Sequence, residues 1–347
     1  MRALVLARRG DAGRAFELRE FPDPIPESDE VVVETEFSGV NFADVLARLG
    51  LYPDAPALPF VPGYEVVGRI RAMGSDAARV RPGLAVGRRV VALTRFGGYA
   101  SMARAKAMAA MPIADDVDGA EATVLATQGV TAWLAAEDCI TLHPGEKVLV
   151  HAAAGGVGLL LVQLARRRGC EIFATAGSDA KLDLLREEFG VKHAINYRAQ
   201  DFRAEVRRVC GARAPIDVVF DSIGGGVFHQ SRQLLAPGGR MVLFGVAEMA
   251  GGRWLRGARA AWSALRFGFL HPLSLLQESQ ALIGLNVLRI ADHHPERLAR
   301  AFSAMQELVA SGEVHAHVGA AFPVREVGEA HELLASRQSV GKIVLRW

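Results

Sequence analysis

The 347-residue sequence predicts an α/β protein that has a doubly wound parallel sheet and a second, mostly β domain. After about residue 118, short apolar runs such as KVLVHA, EIFATA and RMVLFGV alternate with helix-forming stretches, as in a parallel sheet with crossover helices. The first ~120 residues hold β-type runs such as VVVETEF and YEVVGRI, separated by Pro and Gly. A chain of this length exceeds the usual size of one hydrophobic core, so we expect two domains.

The charge balance and the cysteine content indicate which kind of partner and which cellular compartment to expect. The 40 basic and 38 acidic side chains leave a formal charge of +2, which gives no field to gather nucleic acid and favours a small-molecule partner. The three cysteines lie far apart without CxxC spacing, which predicts a reduced, cytoplasmic protein. No apolar stretch reaches the roughly 18 residues of a membrane span, and the N-terminal MRALVLARRG is interpreted as a first strand.

A glycine motif in KVLVHAAAGGVGLLLVQLARRRG, residues 147 to 169, predicts a dinucleotide site. Ala153, Gly155 and Gly158 occupy the three positions of GxGxxG between a buried-type strand and a helix. Gly155 and Gly156 would let the backbone approach a pyrophosphate, and Gly158 would let the helix pack closely on the strand. The phosphates would then lie at the helix N-terminus, whose unpaired N–H groups favour an anion.

The end of the following strand distinguishes NADP from NAD. An NAD site usually has an acidic residue about 20 positions after the glycines, whereas this chain reads ATAGSDAK at 174 to 181. Ser178 and Lys181 are therefore available to a 2′-phosphate, and Tyr197 would complete that pocket. Two alternatives are open: Lys181 as a solvated helix residue, and Asp179 as a ligand of a ribose hydroxyl. The pattern favours NADPH.

With these residues in place, the chain resembles the zinc-free quinone oxidoreductases, the zeta-crystallin-like branch of the medium-chain dehydrogenase/reductase superfamily. Within that branch it looks most like the synaptic vesicle protein VAT-1 homologues. The resemblance spans nearly the whole chain and is carried by GVNFADVLARLGLYP, VPGYEVVG, TQGVTAW, HAAAGGVG, TAGSDAK, INY, FDSIGG and VGKIVL.

The resemblance implies a GroES-like catalytic domain made of residues 1–122 and 291–347, and a Rossmann NADP-binding domain made of residues 123–290. The active site would be the cleft between them. The family commonly forms homodimers by pairing Rossmann strands, and ALIGLNVLRI at 281–290 looks like such a strand, although it could equally be internal.

Carried over residue by residue, the resemblance implies three groups of cofactor contacts. The nicotinamide end would meet Asn41 and Thr131, the pyrophosphate Gly155, Gly156 and Val157, and the 2′-phosphate Ser178, Lys181 and Tyr197. Later positions that would line the cofactor are Ser222, Phe244, Gly245, Leu285, Asn286 and Lys342. Each of these residues could instead serve only as loop scaffolding.

The zinc pattern of the related alcohol dehydrogenases is missing. Asn41 stands where that family has a cysteine ligand, Gly63-Tyr64-Glu65 replaces Gly-His-Glu, and no cysteine precedes Cys139. We therefore expect no zinc. Without a Lewis acid to stabilise an alkoxide, reduction of a quinone or an α,β-unsaturated carbonyl is better chemistry than oxidation of a simple alcohol.

The predicted step is hydride transfer from NADPH, after which the substrate oxygen needs a hydrogen-bond donor. Tyr52 matches an active-site tyrosine of the related enoyl thioester reductases, and the Asn41 amide is a second candidate donor. Tyr52 could instead be only an aromatic wall of the pocket. Asp44 is interpreted as a local cap and His151 as a packed core histidine.

Residues 247–280 form a basic and aromatic segment that suits more than one role. Its four arginines, two tryptophans and two phenylalanines suit an amphipathic helix at a membrane surface, a lid, or the lining of a cleft or subunit interface. Two other functions therefore remain open. One is reduction of enoyl thioesters, and the other is a low-turnover NADPH-binding protein that associates with lipid.

Overall fold

The structure is a computed structural model that describes residues 1–211, 215–250, 267–268 and 270–347. The interpretations of segment 247–280 as a lid or an amphipathic membrane helix rest mostly on residues 251–266 and 269, which lie outside the described residues. Among the described helices, none has the length and apolar composition needed to cross a bilayer.

The elements follow the alternation read from the sequence. The strands are β1 Arg2–Leu6, β2 Phe16–Glu20, β3 Glu30–Val40, β4 Glu65–Met73, β5 Arg89–Leu93, β6 Met102–Lys106, β7 Ala110–Pro112, β8 Lys147–Val150, β9 Glu171–Ala176, β10 His193–Asn196, β11 Ile216–Asp221, β12 Leu235–Leu243, β13 Ala281–Gly284, β14 Val318–Pro323 and β15 Lys342–Arg346. The α-helices are α1 Ala12–Ala15, α2 Phe42–Leu49, α3 Ala77–Val80, α4 Gly119–Val124, α5 Val130–Trp133, α6 Gly156–Arg167, α7 Asp179–Glu187, α8 Phe202–Cys210, α9 Gly225–Arg232, α10 Pro272–Glu278, α11 Val287–His293, α12 Pro295–Ala310 and α13 Val327–Ala335. Single π-helical turns cover Leu125–Gly129 and Leu134–Asp138, and short 3₁₀ turns cover Ala107–Ala109, Ala247–Ala250 and Val324–Glu326.

The chain divides into two compact units. The first unit contains Met1–Val130, Val287–Ala310 and His315–Trp347, and the second contains Thr131–Asn286 and Ser311–Val314. Both ends of the chain thus belong to the first unit.

The second unit is built on a parallel sheet with the strand order β10-β9-β8-β11-β12-β13. The order runs outward in both directions from β8, so the predicted doubly wound sheet is confirmed. A core of buried apolar side chains lies against it and includes Leu149, Phe173, Val219 and Met241. Because all these strands are parallel, their C-terminal ends lie along one edge of the sheet.

The first unit is built on a mostly antiparallel sheet with the order β14-β15-β3-β4-β5-β7, in which β6 also pairs with β3. Alternate residues of the strands face one core, as shown by the fully buried Val31, Val33 and Val66. The C-terminal strand β15 pairs antiparallel with β3, where Ile343 lies opposite Val40. The last strand thus pairs within the first unit, and this pairing brings residue 342 beside residues 38 to 41.

Two predicted strands are corrected. The run 281–290 is a strand only as far as Gly284, and α11 begins at Val287. The apolar residues after Asn286 recur at helical spacing, which explains the change. The strand predicted at 240–246 runs instead from Leu235 to Leu243. Its early start includes Pro237-Gly238-Gly239 as a bulge, which the shifted register with β11 shows. Gly238 has φ +84°, which favours glycine at this bulge.

Candidate functional site

The glycine turn after β8 forms the anion-binding end of the second unit. Gly155 is the N-cap of the 12-residue helix α6, which Gly156 and Val157 begin. A Cβ at residue 158 would lie 2.4 Å from the Ala152 carbonyl oxygen, so only glycine lets the helix approach the strand this closely. Ala152 has φ +50°, unusual for a residue with a side chain. Free N–H groups at a helix start, held close to the sheet edge, fit a pyrophosphate.

Positive charge collects at the end of the next strand, β9. Ser178 is the N-cap of α7, and burial together with the nearby Arg198 lowers the pKa of Lys181. The Tyr197 hydroxyl and the Arg198 guanidinium lie over Gly177, where a Cβ would come within 2.8 Å of Tyr197 Oη and 3.3 Å of Arg198 Nε. Positive charge beside the start of a helix attracts an anion. This cluster fits a 2′-phosphate.

The Asp179 side chain is bonded within the chain, whereas the alternative interpretation requires it to hold a ribose hydroxyl of the cofactor. Its Oδ1 accepts a hydrogen bond from Asn196 Nδ2 at 2.9 Å, which ties it to the end of β10. The geometry therefore favours the NADP interpretation over an acidic residue that holds a ribose hydroxyl.

The remaining predicted contacts of the second unit follow the ends of its later strands. Ser222 directly follows β11, and Phe244 and Gly245 directly follow β12. Phe244 N donates to Asp221 O at 2.9 Å, and a Cβ at Gly245 would lie 2.7 Å from Ser222 O. Parallel strands end at one edge, so these residues share an edge with the glycine turn; the other candidates there, Leu285 and Asn286, follow β13. Thr131 is buried in α5.

A buried polar cluster marks the first unit. Asn41 Nδ2 donates to both carboxylate oxygens of Glu65, at 2.8 and 2.9 Å, and Asn41 Oδ1 accepts from Lys342 Nζ at 2.9 Å. Lys342 Nζ also forms an ion pair with Glu65, and Thr127 Oγ1 donates to the same carboxylate. Lys342 and Glu65 are completely buried.

This cluster includes two of the predicted site residues. The N–H groups of the Asn41 amide are directed to Glu65, so the geometry does not support Asn41 as a donor to a substrate oxygen. The Lys342 ammonium is held by Glu65 and Asn41, so its placement does not support a contact with the cofactor.

The same cluster does not fit zinc. An amide and a tyrosine, at Asn41 and Tyr64, are not among the usual zinc ligands. The charge of Glu65 is already neutralised by Lys342, whose ammonium would repel a metal ion at this place. Within the described parts of the chain, no three His, Cys, Asp or Glu side chains converge as a metal site would require.

Asp44 behaves as the cap that the sequence indicates. Its Oδ2 accepts from Asn41 N at 2.9 Å, in a capping box at the start of α2, and its Oδ1 accepts from Gly63 N at 3.0 Å. Burial, with the Glu65 charge as a further cause, raises the pKa of Asp44 to about 7. It therefore joins the start of α2 to the loop before β4.

Tyr52 is half-buried and lies in the loop after α2, against the buried Tyr64. Burial raises the pKa of Tyr52, and the nearby carboxylate of Asp54 raises it further. A phenol that keeps its proton can donate a hydrogen bond at neutral pH, as an oxyanion-stabilising group must.

His151 is a core histidine, as predicted. It is 3% exposed, and its ring nitrogens lie 3.0 Å from Thr175 Oγ1 and 2.7 Å from Ser231 Oγ. Burial lowers its pKa to about 3, which keeps the ring neutral.

Sequence reasoning missed Arg198, Tyr64 and Glu65 as site residues. Arg198 directly follows Tyr197, so adjacency to the INY motif could have indicated it. Tyr64 and Glu65 were considered only as replacements for a zinc motif. Glu65 pairs with Lys342, which is 277 positions away, and the ring contact of Tyr64 with Tyr52 depends on how the intervening loop folds, so no local pattern reveals these contacts.

Comparison with known proteins agrees with this geometry. Residues 27–133 match the family model for the alcohol dehydrogenase GroES-like domain, and residues 156–258 match the model described as zinc-binding dehydrogenase. The synaptic vesicle membrane protein VAT-1 homolog of Danio rerio is 31% identical over 99% of this chain and 69% of its own length.

Two solved structures are similar along the whole chain. The Escherichia coli quinone oxidoreductase in complex with NADPH has a TM-score of 0.85 and 27% identity, and the match covers 100% of both chains. The CurK enoyl reductase has a TM-score of 0.82 and 27% identity, and the match covers 99% of this chain and 98% of that one. With its GroES-like unit, its Rossmann-type unit and these relatives, the chain belongs to the medium-chain dehydrogenase/reductase superfamily, close to VAT-1 homologues and quinone oxidoreductases.

Proposed function

We propose that this protein is an NADPH-dependent reductase of quinones or α,β-unsaturated carbonyl compounds, acting without zinc. The observation that carries the proposal is the pair of cations, Lys181 after β9 and Arg198 after β10, beside Tyr197. That pair selects a cofactor with an additional phosphate, and the NADPH complex of the similar quinone oxidoreductase supports the same choice.

In this proposal the dinucleotide follows the C-terminal edge of the parallel sheet. Gly155, Gly156 and Val157 would hold the pyrophosphate, and Ser178, Lys181, Tyr197 and Arg198 would hold the 2′-phosphate. The other residues proposed to line the cofactor are Thr131, Ser222, Phe244, Gly245, Leu285 and Asn286.

When bound, NADPH supplies a hydride, so that the substrate gains two electrons and the cofactor becomes NADP⁺. The chain has to meet the negative charge that then develops on the substrate oxygen. Tyr52 is the proposed donor, because its half-buried phenol has a raised pKa and so keeps its proton. A proton from Tyr52 or from solvent completes the reduction.

The similarity to an enoyl reductase favours a second candidate substrate, an enoyl thioester. Its C=C bond is also polarised by a carbonyl, so hydride addition at the β-carbon and a donor at the thioester oxygen would serve it equally. The two candidates differ in the group attached to the carbonyl, which a substrate panel separates.

A third candidate is a weakly active NADPH-binding protein that associates with lipid. In the described part of segment 247–280, Leu270, Leu273 and Leu276 are 38%, 57% and 76% exposed, as a lipid-facing surface would require. The same surface suits a homodimer, which we propose to form at the neighbouring edge strand β13. A cytoplasmic location stays a prediction from the cysteine pattern.

The test follows NADPH consumption by absorbance with quinones, enones and enoyl thioesters, with NADH in parallel. We expect turnover of one class, a preference for NADPH, and loss of that preference in Lys181→Ala. Tight NADPH binding without turnover of any class, together with flotation on liposomes, would instead favour the lipid-associated candidate.

A further inference from the structure

Two stretches of the second unit run side by side at the C-terminal edge of its sheet. One follows β11 and the other follows β12, and together they contain three of the residues proposed to line the cofactor, Ser222, Phe244 and Gly245. Two backbone hydrogen bonds join their far ends: Ala247 N donates to Ser222 O at 3.1 Å, and Glu248 N donates to Ile223 O at 2.9 Å. The two stretches therefore hold each other in place.

The side chain of Glu248 ties this pair of stretches to the start of α9. Its Oε2 accepts a hydrogen bond from Gly226 N at 2.8 Å, in the first turn of the helix. An N–H group in the first turn has no acceptor within its own helix, and the helix dipole favours a negative group there. The Glu248 carboxylate is therefore held by a hydrogen bond and by charge together.

The glycines at the start of α9 leave room for this carboxylate. A Cβ at residue 225 would overlap Glu248 Oε2, so a side chain there would displace the carboxylate. A Cβ at Gly224 would lie 3.4 Å from Gly245 O, which places the glycine turn against a residue proposed to line the cofactor. The Glu248 contact is thus made directly beside the proposed cofactor edge.

We propose that Glu248 is a positioning residue for the cofactor: its carboxylate fixes the stretch after β12 against the start of α9, so that Ser222, Phe244 and Gly245 are in place before NADPH binds. The inference rests on the part of the proposed function in which these residues line NADPH, and it holds for any substrate class. A site that is in its competent form for only a fraction of the time binds its ligand more weakly by that fraction.

The binding test compares the natural chain with Glu248→Ala by titration of the intrinsic fluorescence with NADPH. We expect the variant to bind NADPH roughly fivefold more weakly, as when the cofactor edge is in place for about a fifth of the time. A second probe is adenosine 2′,5′-bisphosphate, which lacks the nicotinamide half. Strands β11 and β12 lie on the other side of β8 from β9, so this probe should reach only the site at Lys181 and Arg198.

The affinity for adenosine 2′,5′-bisphosphate should therefore change by less than about twofold in Glu248→Ala. An equal loss of affinity for both probes would show general damage to the second unit and would overturn the proposal.

Two further variants test the contact itself. Glu248→Gln keeps a carbonyl oxygen for Gly226 N, so it should retain most of the NADPH affinity. Gly225→Ala displaces the carboxylate from the other side, so it should weaken NADPH binding in the natural background and add nothing in the Glu248→Ala background. A Gln variant as weak as Ala, or losses that add, would contradict the proposal.

The matched control is Glu146→Ala in the same unit. Glu146 also accepts from a backbone N–H, that of His143 at 2.9 Å, and pairs with Arg240, but it directly precedes β8 at the opposite edge of the sheet. This variant should lower the urea midpoint of unfolding at least as much as Glu248→Ala, with the NADPH affinity unchanged. If both variants lose NADPH affinity in step with their stability, the role of Glu248 is merely structural.

The binding measurements separate this inference from the proposed reaction. Weaker NADPH binding by Glu248→Ala in a protein that reduces no carbonyl compound would uphold the positioning role and reject the reaction. Unchanged NADPH binding by the variant, in a protein that reduces quinones or enones with NADPH, would reject the positioning role alone. A natural protein that does not bind NADPH would reject both.

Discussion

Lys342 Nζ lies 2.9 Å from Asn41 Oδ1, which joins the first residue of the last strand to the N-cap of α2. The same ammonium neutralises Glu65, and neither charged side chain has any exposed surface. The cluster is therefore a cross-link within the first unit, in which the buried charges of Lys342 and Glu65 neutralise each other.

Replacement of Lys342 by Met is expected to destabilise the protein strongly. The change leaves the Glu65 carboxylate buried without its cation, which typically costs about 3–5 kcal/mol. Urea unfolding of the two proteins measures the difference. The control is Lys106→Met, which removes an exposed lysine that pairs with Glu27 and Asp29 and should cost about 1 kcal/mol or less. Similar losses for both variants would contradict the cross-link.

The sequence could not reveal this cross-link, although it predicted the sheet that β15 joins. Lys342 and Asn41 are 301 positions apart, and nothing local distinguishes Lys342 from a surface lysine. The parallel sheet and the glycine turn were predictable because their patterns are local: apolar runs at regular spacing, and a Gly158 that must pack against the strand. Tyr52 was predictable only through resemblance, and its ring contact with Tyr64 only from the folded chain.

The stability of the second unit should depend on the protonation of Asp221. Burial raises the pKa of this carboxyl to about 6, above its ordinary value near 4. The folded state therefore binds a proton more tightly than the unfolded state. The corresponding stability is fully present below about pH 4 and is lost as the pH rises through about 6.

Asp221→Asn isolates this dependence. Asp221 Oδ1 alone accepts from Ile223 N at 2.7 Å and Gly224 N at 3.0 Å, so the Asn carbonyl can keep both bonds. Urea unfolding at pH 5 and pH 8 should show the variant gaining stability relative to the natural protein as the pH rises. A constant difference between the two proteins across that range would show that Asp221 does not titrate as stated.

Cofactor choice should depend on Arg198 as well as on Lys181. Replacement of Arg198 by Gln removes one cation from the proposed 2′-phosphate site, and loss of a charge-assisted hydrogen bond weakens NADPH binding by roughly tenfold or more. NADH binding should change little. Titration of the intrinsic fluorescence with each cofactor measures both affinities.

The control for Arg198 is Arg186→Gln, which removes an arginine of α7. Arg186 pairs with Asp183 at 3.1 Å within its own helix, so it has no expected role in cofactor choice. If both variants lose NADPH affinity equally, a general loss of positive charge explains the effect, and Arg198 has no specific part.

The last prediction concerns the charges that surround Tyr52. Asp54 stands two residues after Tyr52 and forms an ion pair with Arg289 of α11 at 2.7 Å. Together with burial, the Asp54 carboxylate raises the pKa of Tyr52. Asp54→Asn should therefore lower the Tyr52 pKa, because it removes a negative charge. Arg289→Gln should raise it, because the carboxylate then lacks its cation.

The absorbance of ionised tyrosine, followed as the pH is raised, measures both shifts in the Tyr197→Phe background, which removes the exposed tyrosine. Arg289 is 60% exposed and solvent screens the pair, so each shift should be roughly half a pH unit or less. The test depends on the signs of the two Tyr52 pKa shifts, which should be opposite. If both variants move the pKa in the same direction, the loop that carries Tyr52 has changed its conformation, and Asp54 does not act on the phenol through its charge. Opposite shifts would show that the helix after β13 sets the donor strength of Tyr52 through one surface ion pair.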